Sequence, residues 1–531
     1  MKGPLVSIRH GTASKFLRPI TGCARRLPSH AVGKIPESCW HRQHARAYSS
    51  SHPPPPSPGR RSLLTLAIET SCDDTCVAIL ERSGPAARLL FNKKVTSDNR
   101  AFGGVNPLVA IMSHTTSLAN LVREALPSLP EWVDSAADDD GAQGTPRVHG
   151  SDVLHVPNPT SGAPERRRKP DFVTVTRGPG IASALAAGLN TAKGLAVAWG
   201  VPLLGVHHMQ AHALTPRLVN ALEQPWAPSE DISSSLSSSI TSPSPQFPFL
   251  TLLVSGGHTQ LVLSTSLTAH AMLAEADSIA VGDMIDKGAR AILPAAAKSS
   301  ASDVMYGALL ERFAFPDAAA GYEYEYTPPA TRADELVPFD SGRGWTLQVP
   351  LPQRSSMAFN FTSLNGEVLR VAEARPAMPD DERRVLARAA MRLAFEHVAS
   401  RVVFALADLK KKERQQQRQQ QQRQEAGETT AAAAVKTLVV SGGVASNRFL
   451  MHLLRSVLDV RGFADVEILA PPPALCTDNA AMIAWTGTEM WEAGWRSNME
   501  ILVQAKWPMD SPHPDGGILG LGGWEKRDGC A

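Results

Sequence analysis

Long apolar runs are missing from this sequence. None of its 531 residues falls in an uninterrupted apolar stretch of about eighteen or more, which excludes a transmembrane helix. Cysteine is scarce. The six are Cys23, Cys39, Cys72, Cys76, Cys476 and Cys530, too few and too scattered for a disulfide framework, as in a reducing compartment. Acidic residues are almost absent from the first 61 positions, where eleven Lys and Arg face Glu37 alone. The whole chain has 53 basic and 51 acidic residues, so the rest keeps 42 and 50 and a net charge of about −8. With that acidic balance, a nucleic-acid partner has to be met by a local basic patch.

What is present reads as globular: 43% hydrophobic and 20% charged residues on a chain long enough for two domains, each with its own core. The basic, acid-poor, Ser-containing N-terminus has the composition of an organelle transit peptide. Arg46-Ala47-Tyr48-Ser49 looks like a matrix-processing site cut after Tyr48. The alternative is a basic arm that touches nucleic acid. Targeting is favoured because Pro53–Pro56 separates this stretch from the first strand.

Apolar strands alternate with helices along the remainder. Leu63–Glu69 reads as a strand, Thr70–Thr75 as a polar turn and Val77–Leu80 as a second strand. Leu108–Leu126 has helical spacing. Phe172–Thr176 (strand) leads through Arg177-Gly178-Pro179-Gly180 into a helix ending at Trp199, and Leu203–Val206 leads into a helix opened by His207-His208. Phe249–Val254 and Thr437–Val440 are strands that each end in Ser-Gly-Gly. A long helix covers about 381–410 and runs into a Gln/Arg-rich stretch, 412–427, that reads either as its solvated extension or as disorder. The pattern is α/β, and the repeated strand-to-Ser-Gly-Gly device points to two related lobes facing one cleft. Segments 133–169, 225–246 and 412–434, rich in polar residues, Pro, Ser or Gln, are expected to be disordered surface insertions.

His208 and His212 are spaced so that two imidazoles share one helix face and can bind one ion, with a purely structural pair as the competing role. Asp478, after the strand Val466–Leu469, is a candidate third ligand, with a helix N-cap as its competing role. A metalloprotease would need a Glu directly after the first His to activate the metal-bound water. That position is Met209, and no carboxylate lies in the segment. Gly256 and Gly257, and again Gly442 and Gly443, let backbone N–H groups approach anionic oxygens. Asp73 and Asp74 sit where carboxylates orient a cation or a water, or simply form an Asp-rich turn. Asp286, in Asp286-Lys287 at the start of a helix, is either a buried acceptor for ribose hydroxyls or part of an exposed helical ion pair.

Taken in order, these segments resemble the TsaD-like threonylcarbamoyltransferase family, specifically its mitochondrial branch. Ala67–Thr75, Gly103–Pro107 with His114, Arg177–Gly180 and Val206–Met209 carry the resemblance, with Leu253–Thr259, Ser441–Asn447 and Cys476–Asn479. They span about 67–487. The resemblance implies an actin-like, two-lobed α/β fold with the active site in the inter-lobe cleft. Its lobes would be 62–207 and 208–506, a return to the first lobe near 478–506 being left open, with 1–61 a targeting segment and linker and 507–531 a tail. It implies transfer of threonylcarbamoyl from threonylcarbamoyl-AMP to N6 of the adenosine beside the anticodon, in mitochondrial tRNAs that read ANN codons. One divalent ion per subunit, iron or zinc, would be held by His208, His212 and Asp478. Leu253, Val254, Ser255, Gly256 and Gly257 would line the adenylate, with Asp286, Gly307, Glu311, Ser446, Asn447 and Thr477 around its adenosine and threonyl parts. Asp73 and Asp74 would position the reacting carbonyl or accept a proton. A separate synthase would supply the adenylate, tRNA would be the partner, and a homodimer in the mitochondrial matrix is implied, with no membrane contact.

The sequence departs from the family pattern in places. Gln210 and Leu108 stand where Glu is usual, Tyr306-Gly307 replaces a Pro-Gly-Gly turn, and Ala358–Thr362 only loosely matches a Phe-Ser-Gly stretch. Two other functions share some of these features. An actin-like ATPase or small-molecule kinase would use magnesium held by carboxylates and water rather than histidines. A non-enzymatic nucleotide-binding scaffold would tolerate loss of the metal ligands.

Overall fold

The computed structural model describes residues 62–102, 104–133, 152–226, 243–299, 306–316, 324–352, 356–424, 434–513 and 516–527. The targeting segment with its processing site, Gly103, and the centres of the three insertions (134–151, 227–242 and 425–433) lie outside the described residues.

The chain is mixed α/β, built on two large sheets. Its first elements are β1 (Leu63–Glu69), β2 (Asp74–Ser83), β3 (Ala86–Thr96) and α1 (Pro107–Ala125). A short hairpin, β4 (Val153–Pro157) and β5 (Pro164–Arg168), precedes β6 (Phe172–Gly178), α2 (Ala182–Trp199), β7 (Leu203–His207) and α3 (His208–Glu223). Then come β8 (Phe249–Val254), β9 (Thr259–Ser264), β10 (His270–Ala276), α4 (Val281–Ile292), α5 (Ala295–Ser299) and α6 (Gly307–Ala314). Three two-residue strands follow, β11 (Phe339–Asp340), β12 (Thr346–Leu347) and β13 (Ala358–Phe359), and then α7 (Thr362–Ala374) and α8 (Asp380–Gln424). The chain ends with β14 (Thr437–Ser441), α9 (Arg448–Val460), β15 (Glu467–Leu469), α10 (Pro473–Cys476), α11 (Ala480–Glu492), β16 (Trp495–Ser497) and β17 (Trp524–Lys526).

The strand order is β17-β16-β7-β6-β1-β2-β3 in one sheet and β13-β10-β9-β8-β14-β15 in the other. Both contain the same device. Three antiparallel strands (β1–β3, β8–β10) are extended by two parallel ones, β6 and β7 beside β1, and β14 and β15 beside β8. The parallel centres are buried on both faces, which explains why β1, β6 and β8 read as apolar runs rather than alternating patterns. β16 pairs with β7, so the chain rejoins the first sheet after α11.

One apolar core lies between the sheets. Leu204 and Val206 of β7, Leu253 of β8 and Val439 of β14 pack in it with Ala211 and Leu214 of α3 and Ala481 and Trp485 of α11. Helices α3 and α11 are thus fixed from both sides. Inside this layer Arg217 is buried against Glu489, with Nε 2.8 Å from Oε1 and a second bond from the guanidinium to Oε2.

Three expectations need correction. Residues 152–169 are not disordered: β4 and β5 pair from Val153↔Arg168 to Pro157↔Pro164. The side chain of Arg168 anchors the hairpin to Glu81 and Asp171. The 381–410 helix continues to Gln424, so the solvated extension holds over disorder in 412–424, because Gln, Lys and Arg are good helix formers even with no apolar face to bury. Pro243 and Pro245, in the Ser/Pro tract, accept hydrogen bonds from buried Arg217. The helical ion pair expected at Asp286 is present, with Arg290 as its partner, while Lys287 pairs with Asp283, each at i, i+4.

Candidate active site

The first strand delivers a buried carboxylate. Glu69 ends β1 fully buried, accepts hydrogen bonds from the backbone N–H of Ser71 and the hydroxyl of Thr176, and lies 3.2 Å from Nδ1 of His208. Burial pushes its carboxyl up, and the neighbouring His208 more than offsets this, leaving it below the usual range.

Strand β7 runs directly into α3, and His207 is the helix cap. Its Nδ1 accepts from the N–H groups of Met209 and Gln210, and its Nε2 donates to the Trp507 carbonyl at 2.9 Å. Burial pushes His207 down to about 3, which keeps it neutral and able to cap. One residue on, His208 and His212 face the same way across one turn. Their Nε2 atoms are 3.6 and 3.1 Å from Oδ1 of Asp478, and the candidate ligand atoms of the three residues lie within 4.8 Å of one another. Asp478 is not the helix cap. Asn479 does that work, accepting from the Met482 N–H, and this leaves the Asp478 carboxylate for the histidines.

The electrostatics of this cluster favour a cation. Burial would lower His208, but Glu69 and then Asp478 raise it to about 9. Asp478 is driven down: burial opposes its ionisation, and His208 and His212 outweigh that. A proton or a metal ion answers the same excess of negative potential.

Asp73 and Asp74 form the turn between β1 and β2, and burial raises both carboxyls. Their surroundings differ. Asp74 is held by Lys94, 2.9 Å away, and by the Thr96 hydroxyl, whereas Asp73 has a long 3.4 Å contact from Asn99 and a hydrogen bond with the Cys72 thiol. Lys94 also donates to the Thr477 hydroxyl at 3.1 Å. His114 of α1, buried and lowered in pKa chiefly by desolvation, supports the turn through the Thr75 hydroxyl and the Cys72 carbonyl.

The glycine turns meet next to these groups. Residues 255–258 close a tight turn, with the N–H groups of Gly257 and His258 donating to the Ser255 hydroxyl. Gly256 and Gly257 border open space, and a side chain at either would touch nothing within 4 Å. Gly442 is constrained: its φ is +96°, and a Cβ there would come 2.4 Å from the Val254 carbonyl oxygen. Gly443 faces Thr477, at 3.7 Å from an added Cβ to the methyl, and Ser446 closes the turn on the Gly443 carbonyl. Leu253 and Val254 are buried strand residues that carry this turn.

The remaining predicted residues form a second group around α4, α6 and α9. Asp286 accepts from the N–H of Tyr306, the residue before Gly307, and Gly307 lies 3.6 Å (from an added Cβ) from Ile285. Glu311 accepts from the Phe449 N–H and the Tyr324 hydroxyl. Asn447 caps α9 through the Leu450 N–H. Each of these polar groups is thus already engaged within the chain. Beside Ser446 a cavity of about 380 Å³ is lined by Tyr324, Arg448 and His452. A larger one, about 650 Å³, is lined by Phe315, Tyr326 and Phe449 and contains none of the predicted residues.

Glu69, His207 and Lys94 join the site without having been among the residues that its sequence motifs single out. A Glu closing an apolar strand was the available signal for Glu69. Nothing local marks Lys94, whose neighbours at the site are Asp74 and Thr477, the latter 383 residues away.

The TsaD family of tRNA N6-adenosine threonylcarbamoyltransferases matches residues 166–231 and 233–485. A mitochondrial tRNA N6-adenosine threonylcarbamoyltransferase of Schizosaccharomyces pombe is 31% identical over 480 residues, covering 87% of this chain and 89% of its own. A tRNA N6-adenosine threonylcarbamoyltransferase of Cereibacter sphaeroides is 30% identical over 87% of this chain and 98% of its own. The HypF structure from T. kodakarensis, at 13% identity and a TM-score of 0.35 over 81% of this chain and 48% of its own, is too distant to carry an argument. The α/β chain is therefore a transferase. It belongs to the TsaD family. Among the described residues no helix is long and apolar enough to cross a membrane.

Proposed function

We propose that the chain transfers threonylcarbamoyl from threonylcarbamoyl-AMP to N6 of the adenosine beside the anticodon of mitochondrial tRNAs reading ANN codons, releasing AMP. It does so in the mitochondrial matrix, as a homodimer, with adenylate supplied by a separate synthase. The lobes are 62–207 and 208–506, the chain returning to the first through β16, and the active site lies between them in an actin-like arrangement.

The observation that carries this reading is the convergence of His208, His212 and Asp478 with Glu69 behind His208. One divalent ion, iron or zinc, fits these residues. Glu69 takes the Nδ1 side of His208, which leaves Nε2 toward Asp478, and a carboxylate behind a ligating histidine is the usual support for such a ligand. Two imidazoles and a carboxylate suit either metal. A bound ion would supply Lewis acidity toward negative charge developing on the phosphate or carbamoyl oxygen.

The other residues have separable tasks. Gly256, Gly257 and Gly443 allow backbone to approach the phosphate, with Leu253, Val254 and Ser255 fixing the first turn. Asp286, Gly307, Glu311, Ser446, Asn447 and Thr477 surround the adenosine and threonyl parts. Asp73 is the better proton acceptor of the acidic pair, because Asp74 is occupied by Lys94 and Thr96. The nucleophile is an exocyclic amine and the electrophile a mixed carbamic–phosphoric anhydride, so orientation of the two is most of what the site must provide.

The test is reconstitution of the full chain with metal, synthase-generated threonylcarbamoyl-adenylate and anticodon-bearing tRNA, read by nucleoside mass spectrometry. Modified adenosine that disappears in His208→Ala/His212→Ala supports the reading. A folded protein that binds adenylate yet makes no product, or whose double variant is fully active, sinks it and leaves the scaffold reading.

A further inference from the structure

Strand β3 is the edge of the first sheet, and two adjacent lysines on it point to opposite faces, as successive strand residues must. Lys93 turns to α1 and pairs with Glu124, both partners about half exposed (48% and 52%). That is a solvated surface pair of little consequence. Lys94 turns the other way. It pairs at 2.9 Å with Asp74, whose side chain is only 13% exposed, and donates at 3.1 Å to Thr477, next to the ligand candidate Asp478. An ammonium has three N–H donors. Two are used here, and the side chain remains 36% exposed, so the third is available on the open side.

The location of this cation is unusual. Glu69, Asp73, Asp74 and Asp478 bring four carboxylates to one region; Glu69 and Asp478 face the histidines, whereas the Asp73–Asp74 turn on the other side has Lys94 as its cation. Lys94 offsets part of that charge at the point where the acidic turn meets the Thr477–Asp478 loop. The proposed donor carries two anionic groups, a phosphate and the carboxylate of its threonyl part. Resting on the function proposed above, we infer that Lys94 is a donor-binding and positioning residue: it ties Asp74 to Thr477 and gives its third N–H to an anionic oxygen of the donor.

The experiment compares wild type, Lys94→Met and Lys94→Arg as full chains with metal bound. Binding of AMP, which has the phosphate, and of N-carbamoylthreonine, which has the carboxylate, is followed by calorimetry, with donor KM and kcat from the transfer assay. Lys94→Met is expected to weaken one of the two ligands by about tenfold or more, the ordinary effect of losing a charged hydrogen bond. Donor KM should rise with it while tRNA KM holds, and Lys94→Arg should recover most of the loss. Whichever ligand weakens identifies the anion. A Met variant that binds both ligands and transfers as wild type does overturns the role of Lys94 and leaves the function standing. Wild type that binds neither ligand and makes no product removes both. Equal losses in Lys94→Met and Lys94→Arg, with a lowered melting temperature and unchanged donor KM, would reduce Lys94 to a structural tie.

Discussion

Oε2 of Glu69 lies 3.2 Å from Nδ1 of His208, so the last residue of the first strand sets the orientation of an imidazole 139 residues later. That carboxylate is fully buried and accepts from Ser71 and Thr176 as well, which leaves it little freedom to serve substrate directly. It is placed to orient the His208 ring.

Glu69→Gln keeps the shape and removes the charge. Metal affinity is expected to fall by roughly 10–100-fold, the usual cost of losing a carboxylate behind a ligating histidine. Metal content after dialysis against a graded chelator measures it. Retention of metal equal to wild type would remove Glu69 from the site.

His207 predicts an acid-side loss of stability. Its folded-state pKa is about 3 and that of His270 is about 4, both depressed chiefly by burial. The unfolded chain, with histidines near 6.5, takes up the protons first. Stability from these two groups is therefore complete above about pH 6.5 and lost as pH falls toward 4. The slope is about 1.4 kcal/mol per pH unit for each. His207→Asn retains a capping oxygen and should flatten the urea-unfolding profile between pH 4 and 6.5. An unchanged slope would mean that His207 does not titrate on unfolding.

The glycines of the two Ser-Gly-Gly turns are expected to separate under substitution. Gly442→Ala puts a Cβ 2.4 Å from the Val254 carbonyl at a φ of +96°. It should cost about 1–3 kcal/mol from backbone strain, before the clash is added. Gly256→Ala meets nothing within 4 Å, so its melting temperature should stay near that of wild type while AMP binding weakens. Equal loss of stability in both would show that the open space at Gly256 is not there in solution.

Arg217 and Glu489 form a buried pair between the sheets, each side chain 7% exposed. Arg217→Met strands Glu489 and also frees the carbonyls of Pro243 and Pro245. A loss of roughly 3–5 kcal/mol is expected in chemical denaturation. The double variant Arg217→Met/Glu489→Leu should recover part of it. A single variant as stable as wild type would show that the pair is solvated.

Much of this architecture was legible because buried parallel strands leave apolar runs and turns leave glycine and aspartate. The apolar runs Leu63–Glu69, Phe172–Thr176 and Phe249–Val254 agree with the observed strands to within two residues for that reason. The hairpin at 153–168 was hidden because Pro, Glu and three arginines in Pro164–Arg168 look like a loop. What orders it is a distant ion pair from Arg168 to Glu81, invisible in a local window. The same limit applies at the site. His208 and His212 announce themselves by spacing, and Asp478 by its turn. Lys94 is one of many surface-like lysines until folding sets it beside Thr477, and only the fold gives the cap of α11 to Asn479 and so frees Asp478 from that task.

The contact between Gly442 and Val254 has a bearing on how such a chain can be recombined. The two Ser-Gly-Gly turns are nested, the backbone of one resting against the strand end that carries the other. A chimera that imports the 253–258 segment from a relative and keeps the resident 441–447 segment inherits only half of a matched surface. Both segments would have to travel together, although some 180 residues of intervening chain could stay behind.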